Sequence, residues 1–273
     1  MIAAPIGIFD SGLGGLTVAR AIYQALPSDS TIYFGDTARV PYGPKSPAVV
    51  RRYSLEIMDW LLRQGVKVLV VACNTSTAHA LEALVDAAPV PVLGVIEAGA
   101  RAAVRASAGR PVGVIGTAGT IASRAYRRAI EALDPGVEVV DRACPLFVPL
   151  VEEGWFDQPA TRLVAEQYLA PIRAHGVGSL VLGCTHYPLL KPLLGEIMGP
   201  EVTLVDSADE TARALAELLE RRGQVAPAGG EVFHRFAVSD DPERFRQIGS
   251  RFLGERLGVA EVVTVGAGGS PPP

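Results

Sequence analysis

Two segments of the chain end in the same way, with a cysteine at the end of a short apolar run. Residues 68–75 read VLVVACNT and residues 180–186 read LVLGCTH. The chain has 3 cysteines in all, and two of them, Cys73 and Cys184, occupy these matching positions. Two thiols on opposite sides of a substrate can take a proton from one face of a carbon atom and return a proton to the other face. We therefore interpret the two thiols as a candidate acid–base pair.

The residues around each cysteine favour a reactive thiol. The carboxyl ends of strands in an open parallel sheet face the ligand crevice. Asn74-Thr75-Ser76 follow Cys73, and Thr185-His186 follow Cys184, where the sequence predicts that helices begin. Amides at a helix N-terminus stabilise a thiolate and lower the pKa of the thiol. The third cysteine, Cys144, lies in a less regular stretch and is expected to be a small buried apolar residue.

A cysteine and a histidine could also serve other kinds of site. The four histidines form no zinc-type spacing, although Cys184 and His186 could supply two ligands from an extended segment. A cysteine hydrolase uses one thiol with one imidazole, which leaves the second matched thiol unexplained. A redox role for the thiols is a further alternative. We predict no metal and no cofactor, with His186 either helping to set the protonation of Cys184 or the substrate, or capping a helix.

The first loop, Asp10-Ser-Gly-Leu-Gly-Gly-Leu-Thr, follows a predicted strand and opens a predicted helix. A dinucleotide-binding fingerprint needs a third glycine where this chain has Thr17, and Asp10 is a poor neighbour for a pyrophosphate. The glycines instead predict backbone amides close to a small anion. Further on, Pro41-Tyr42-Gly43 is either a plain turn or a crevice loop that binds a carboxylate.

Short Val/Ile/Leu runs alternate with amphipathic, Ala-rich segments, which is typical of an α/β protein with mainly parallel sheets. The predicted strands lie near residues 6–9, 31–35, 68–72, 92–95, 112–115, 137–140, 180–182 and 202–205. The predicted helices cover residues 15–24, 48–64, 77–87, 96–107, 120–133, 161–175 and 209–222.

The chain also contains an internal repeat. IGIFDSG at 6–12 matches VGVIGTA at 112–118, the second strand of each half ends in an aspartate, and the cysteine strand comes third. The repeat predicts two pseudo-symmetric, doubly wound α/β domains with the active site in the crevice between them. We assign residues 1–97 plus 207–265 to the first domain and 98–206 to the second, with a disordered tail at 266–273.

Composition limits the classes of function. Apolar residues make up 49% of the chain and charged residues 20%, as in ordinary globular proteins. The formal net charge of −4 argues against direct nucleic-acid binding. No apolar stretch is long enough to cross a bilayer, and no signal peptide is recognised. Few cysteines, odd in number, favour the reducing cytoplasm.

With these residues assembled, the chain resembles the glutamate racemases of the cofactor-independent aspartate/glutamate racemase superfamily. The matching segments are IGIFDSGLGGLTV at 6–18, FGDTARVPYG at 34–43, VVACNTSTA at 70–78 and LVLGCTHYPLL at 180–190. They occur in the family's order and are specific because all four are long and ungapped. Beyond about Arg222 the resemblance gives no alignment.

The resemblance implies a role for each matching residue. Cys73 and Cys184 would be the two catalytic bases, with Cys184 deprotonating L-glutamate and Cys73 deprotonating D-glutamate. Asp10 and His186 would assist the thiols, and an acidic residue near the site matches Glu152, although Glu153 is adjacent. The implied substrate contacts are Asp10, Ser11, Tyr42, Gly43, Asn74, Thr75, Thr185 and His186.

The implied activity is racemisation of L-glutamate to D-glutamate for peptidoglycan synthesis, with glutamate as the small-molecule partner and a homodimer as the assembly. Two alternatives stay open. One is a racemase of aspartate or another small acidic amino acid. The other is a non-catalytic protein-binding role, as in glutamate racemases that restrain gyrase.

Overall fold

The computed structural model describes residues 3–254 and 257–266, which form an α/β structure with two parallel sheets. The strands are Ile6–Asp10 (β1), Thr31–Gly35 (β2), Val68–Val71 (β3), Val92–Gly94 (β4), Val112–Gly116 (β5), Val139–Ala143 (β6), Ser179–Gly183 (β7), Thr203–Val205 (β8), His234–Val238 (β9) and Ala260–Val262 (β10). The α-helices are Leu16–Ala25 (α1), Pro47–Arg63 (α2), Asn74–Ala87 (α3), Val95–Ser107 (α4), Ala118–Ala122 (α5), Ala125–Leu133 (α6), Phe147–Glu152 (α7), Pro159–Ala174 (α8), Lys191–Met198 (α9), Ala208–Arg221 (α10) and Pro242–Leu253 (α11). The fold class expected from the sequence is confirmed.

The two sheets share a strand order. The first runs β10-β9-β2-β1-β3-β4 and the second runs β6-β5-β7-β8. In each sheet the first strand of a repeat lies between the second and the third, so β2-β1-β3-β4 corresponds to β6-β5-β7-β8. Each cysteine follows the third strand of its repeat, and all strand pairs are parallel. The two thiols therefore leave equivalent edges of two similar sheets.

The central strands form because their side chains are apolar on both faces and helices cover both faces. Every residue of β1, β2, β3, β5 and β7 is buried. Burying apolar surface is the main favourable term in folding, so these strands fix the sheets. Their bounds agree with the sequence prediction to within one residue at each end, and for β2 they agree at both ends.

Two predicted elements differ from the structure. The helix expected over 120–133 is two helices, α5 and α6, because Arg124 between them has the left-handed backbone angle φ of 57°. A non-glycine residue in that region does not continue an α-helix. The strand expected over 137–140 lies two to three residues later, at β6, where only Val139 is buried. Partial burial weakens the apolar signal that locates a strand.

The C-terminal segment returns to the first sheet. Helix α10 packs on α1, and β9 and β10 then extend the sheet beyond β2. Strands β9 and β10 and helix α11 were not predicted from the sequence. In β9 the first two residues, His234 and Arg235, are exposed, and β10 is a three-residue edge strand, so neither reads as a buried apolar run.

The composition of the two sheets supports a division of the chain into two domains. Strands from residues 6–94 and 234–262 build the first sheet, and strands from residues 112–205 build the second. We propose the division into 1–97 plus 207–265 and 98–206 on this basis. The junction near Glu97 then falls in the first turn of α4, which packs on β7 of the second sheet. Of the disordered tail predicted at 266–273, residues 267–273 lie outside the described part of the chain.

In the part of the chain that the structure describes, no helix has the length and apolar character needed to cross a membrane.

Candidate active site

Cys73 lies at the carboxyl end of β3 and is the N-cap residue of α3. Its Sγ accepts a hydrogen bond from the backbone N–H of Ser76 at 3.4 Å. The side chain is buried, with the residue 5% exposed. The expected position of this thiol at a helix N-terminus is therefore present.

Cys184 lies at the carboxyl end of β7 but caps no α-helix. A 3₁₀-helix, Tyr187–Leu190, follows it, and the N-cap residue there is His186. The Nδ1 atom of His186 lies 3.9 Å from the Sγ atom of Cys184, and its Nε2 atom lies 3.0 Å from Oε1 of Glu152 at the end of α7. Sulfur, imidazole and carboxylate thus form a chain.

This chain of contacts favours a protonated His186. Burial acts to lower the pKa of His186, but hydrogen bonds and charge interactions with Cys184 and Glu152 raise it above its ordinary value. Burial acts to raise the pKa of Glu152, but its hydrogen bond with His186 holds it below its ordinary value. An imidazolium between the two groups attracts negative charge on the sulfur. His186 occupies the N-cap position of the 3₁₀-helix, but its side chain makes no capping hydrogen bond there, so of the two roles considered for it the contacts favour the one at Cys184.

Asp10 ends β1, beside the edge where β3 ends, and is fully buried. Its Oδ2 accepts a hydrogen bond from the N–H of Gly12 at 3.0 Å, and its Oδ1 accepts one from the Thr185 hydroxyl at 3.4 Å. Burial raises the pKa of Asp10, and His186 with the amides of Gly12 and Gly15 acts against that rise. The loop amides predicted to bind a small anion therefore bind the chain's own carboxylate.

Asp10 and Tyr126 relate the two thiols in space. The negative charge of the Asp10 carboxylate raises the pKa of Cys73, and the same carboxylate accepts a hydrogen bond from Thr185, which follows Cys184. The Tyr126 hydroxyl donates to Oδ1 of Asn74 at 2.7 Å, and the same ring acts electrostatically with Cys184. Each residue reaches the surroundings of both cysteines. The structure therefore brings the two predicted thiols, Asp10, Asn74, Thr185, His186 and Glu152 into one site.

Thr75 adds a second link between the halves. Its Oγ1 lies 2.9 Å from Oγ1 of Thr117 and 3.2 Å from Oγ1 of Thr120. Neither Thr117 nor Thr120 was predicted from the sequence to be a site residue. The repeat carried a signal for Thr117, since IGIFDSG aligned with VGVIGTA places Thr117 opposite Ser11. Thr120 had no comparable signal.

The Tyr42-Gly43 loop lies against the same links. The hydroxyl of Tyr42, a residue predicted from the sequence to be in the site, donates to the buried carboxylate of Asp36. The carbonyl of Gly43 accepts the N–H of Gly119 at 2.9 Å. A Cβ added to Gly43 would lie 2.8 Å from the Cβ of Thr117. Close approach of the loop to the second sheet therefore requires glycine at 43.

The adjacent glutamates are separated by their partners. Glu152 bonds to His186, whereas Glu153 is paired with Arg244 at 3.5 Å on the surface. Of the two glutamates, Glu152 therefore belongs to the candidate site.

Ser11 lies in the first loop and is half-buried. Its side chain acts, through a hydrogen bond, to lower the pKa of Cys73.

The Cys73 thiol differs from expectation in its acidity. Burial and the nearby Asp10 carboxylate raise the pKa of Cys73 to about 11, and the Ser76 N–H only partly opposes this. The position of Cys73 at a helix N-terminus predicted a lowered pKa. That expectation was wrong for Cys73, because loss of hydration and a like charge outweigh the amides.

We expect iodoacetamide at pH 8 to label Cys184 before Cys73. A thiol with a pKa of about 11 is a thiolate in about one molecule in a thousand at that pH, and the thiolate is the nucleophile. The two residues are 5% and 6% exposed, so access favours neither. Peptide mapping by mass spectrometry measures the order, with buried Cys144, whose pKa is raised to about 12, as a slow internal reference. Equal labelling rates at Cys73 and Cys184 would contradict a raised pKa at Cys73.

Within residues 3–254 and 257–266, no group of three or more His, Cys, Asp or Glu side chains is arranged to hold a metal ion. The two-ligand possibility at Cys184 and His186 thus gains no third ligand from the described chain.

Comparison with known proteins agrees with this geometry. Residues 14–215 match the family model described as Asp/Glu/Hydantoin racemase. The chain is 57% identical to a glutamate racemase of Geobacter metallireducens over 262 residues, covering 96% of this chain and 97% of that protein. A crystal structure of a Bacillus anthracis glutamate racemase superposes with a TM-score of 0.92 at 39% identity, covering 97% and 98% of the two chains. The glutamate racemase of Francisella tularensis in complex with D-glutamate gives 0.90 at 37% identity, also over 97% and 98%. With four sequence motifs, two parallel sheets and two thiols arranged as described, this chain belongs to the Asp/Glu/Hydantoin racemase family.

Proposed function

We propose that this chain interconverts L- and D-glutamate without a cofactor, using Cys73 and Cys184 as two bases on opposite faces of the substrate. The observation that carries the proposal is the pair of buried thiols at equivalent strand ends, related through Asp10 and Tyr126. A single base would return the proton to the face it came from. Two bases from two similar halves provide both faces.

In the proposed sequence of proton transfers, the starting state has a Cys184 thiolate paired with the His186 imidazolium, and a neutral Cys73 thiol. From L-glutamate, Cys184 takes the α-proton and becomes a thiol. Cys73 then gives its proton to the opposite face of the same carbon and becomes a thiolate. D-glutamate leaves, and exchange of protons with solvent restores the starting state. The reverse reaction runs through the same steps backwards.

Removal of the α-proton places negative charge on the substrate carboxylate, and hydrogen-bond donors stabilise it. We assign substrate binding to residues at the ends of β1, β3 and β7 and on their loops. They are Asp10, Ser11, Tyr42, Gly43, Asn74, Thr75, Thr185 and His186, to which we add Thr117 and Thr120 because their hydroxyls adjoin Thr75. Both thiols and Asp10 are buried, so entry of the substrate requires the surrounding elements to move apart.

Glutamate is favoured as substrate by the similarity to proteins named glutamate racemase, one of them solved with D-glutamate. The corresponding cellular role is supply of D-glutamate for peptidoglycan. Three free cysteines support the reducing cytoplasm as its location.

A homodimer is part of the proposal. Exposed apolar side chains lie near α7 and α8, including Leu146 at 50%, Trp155 at 49% and Leu163 at 67%. Large apolar side chains exposed on neighbouring elements are candidates for cover by a partner. Light scattering coupled to size-exclusion chromatography measures the assembly, and a monomer at all concentrations would contradict it.

Incubation with pure D-glutamate in D₂O, without added cofactor, tests the reaction. We expect L-glutamate to form until the enantiomers are equal, with deuterium at Cα of the product. D-aspartate should react at least about tenfold more slowly, since a shorter side chain leaves buried donors unpaired. Chiral chromatography with mass spectrometry reads both results. Product that keeps its α-hydrogen would contradict the two-base scheme, and faster turnover of aspartate would favour the alternative substrate.

A further inference from the structure

The two thiols differ in the groups that would stabilise their thiolates. Beside Cys184 stands His186, whose second nitrogen bonds to Glu152 at 3.0 Å. Beside Cys73 stands Asp10, a carboxylate whose charge opposes a thiolate. Among the described residues, the groups with the largest effects on the pKa of Cys73 include no lysine, arginine or histidine. The protein groups that favour a Cys73 thiolate there are neutral donors, the N–H and side chain of Ser76 and the side chain of Ser11.

Ser76 is placed to be such a donor. It is the third residue of α3, and its backbone N–H already bonds to the Cys73 sulfur at 3.4 Å. The residue is fully buried, and its hydroxyl makes no hydrogen bond of standard geometry among the described residues. Burying such a hydroxyl costs stability, so its placement invites a functional explanation. The side chain nevertheless lies close enough to the Cys73 sulfur to act, as a hydrogen-bond donor, to lower the pKa of that thiol.

We propose that Ser76 is a positioning residue whose side-chain hydroxyl donates a hydrogen bond to the Cys73 sulfur when that sulfur is a thiolate. The inference rests on the proposed function, in which Cys73 alternates between thiol and thiolate. When Cys73 gives its proton to the substrate carbon, the electron pair of the S–H bond stays on Sγ. Rotation of the Ser76 hydroxyl then supplies a second donor from one residue, beside its N–H.

The inference predicts an effect on one of the two proton transfers. Ser76→Ala removes the donor from the step in which Cys73 gains or loses charge, and leaves the step at Cys184 unchanged. That step then limits the reaction in both directions, and kcat/KM falls by about tenfold, the effect of one hydrogen bond to a charged group. Ser54→Ala is the matched control, because Ser54 is also fully buried with an unpartnered hydroxyl but lies on α2.

Substrate deuterated at Cα distinguishes this role from a general loosening of the fold. In Ser76→Ala, the kcat/KM isotope effect should rise for the enantiomer that Cys73 deprotonates, D-glutamate by the family's assignment, and fall for the other. Isotope effects that stay at their wild-type values for both enantiomers would overturn the proposal.

Iodoacetamide labelling provides a second measurement that does not depend on turnover. Between pH 8 and pH 10 the labelling rate of Cys73 follows its thiolate fraction. We expect the rate to fall by about tenfold in Ser76→Ala and to match the wild type in Ser54→Ala. An unchanged Cys73 rate in Ser76→Ala would reject the role of the hydroxyl. If the wild type fails to racemise glutamate, the proposed function fails, while the labelling result still decides whether Ser76 supports the thiolate.

Discussion

Replacing either of the two proposed catalytic thiols, Cys73 or Cys184, by alanine is expected to lower racemisation by about 1,000-fold or more, in both directions. In the proposed mechanism each reaction needs one cysteine to remove the α-proton and the other to deliver a proton, and a positioned acid or base contributes about 100- to 10,000-fold. Neither Cys73→Ala nor Cys184→Ala should unfold the protein, because each loses only a small side chain at a strand end. Circular dichroism follows both the fold and the conversion of glutamate.

The matched control is Cys144→Ala. Cys144 is buried and shares the thiol chemistry, and it is near enough to Cys184 to interact with its charge, but its Sγ bonds to the carbonyl of Arg142 at 3.7 Å and it has no part in the proposed proton transfers. Its loss should leave kcat and KM close to the wild-type values. Near wild-type racemisation by either active-site variant would reject the two-base mechanism.

A substrate that needs only one base separates the roles of the two thiols. From 3-chloroglutamate, one base removes the α-proton, chloride leaves from the adjacent carbon, and the resulting enamine hydrolyses to an oxo acid and ammonia. Cys73→Ala should retain elimination from the L form, and Cys184→Ala should retain it from the D form. The opposite pattern would reverse the assignment of L-glutamate to Cys184 and D-glutamate to Cys73. Elimination from both enantiomers by one variant would contradict a mechanism in which each thiol serves one face of the substrate.

Gly14→Ala is expected to lower activity by about 100-fold, the scale on which a misplacement of 1 Å acts in an active site. A Cβ at this position would lie 2.4 Å from Oγ1 of Thr185 and 2.6 Å from Nδ1 of His186. Both distances are shorter than non-bonded atoms tolerate. Either His186 moves away from Cys184, or the first loop moves away from the second sheet. Steady-state kinetics with both enantiomers measure the loss.

Gly195→Ala is the control for Gly14→Ala. Gly195 lies in α9, and its added Cβ would meet one atom, of Leu204, at 3.8 Å, which is ordinary contact. Alanine is favoured over glycine inside a helix, so activity should be kept and the melting temperature kept or raised. If Gly14→Ala behaved like Gly195→Ala, the close approach of the first loop to His186 would have no catalytic importance.

The sequence alone located the elements whose signals are local. The buried strands are continuous apolar runs, and Asp10, Cys73 and Cys184 lie at or directly after their carboxyl ends. That placement can be predicted without knowing any tertiary contact. The repeat gave the equivalence of the two cysteine strands, since duplicated segments keep their order. Strands β9 and β10 were missed because a half-exposed strand and a three-residue edge strand carry little apolar signal.

Only the tertiary structure decided how these residues are paired and charged. Thr185 is 175 positions from the Asp10 carboxylate that it contacts, and no local pattern encodes that bond. Contact with His186 chose Glu152 over Glu153. Burial next to Asp10 raised the pKa of Cys73, where the helix N-terminus alone predicted the reverse. The type and order of the catalytic groups follow from the sequence because they depend on neighbours along the chain. Their partners and pKa values depend on dehydration and on charges brought together through space, which exist only once the two sheets have folded against each other.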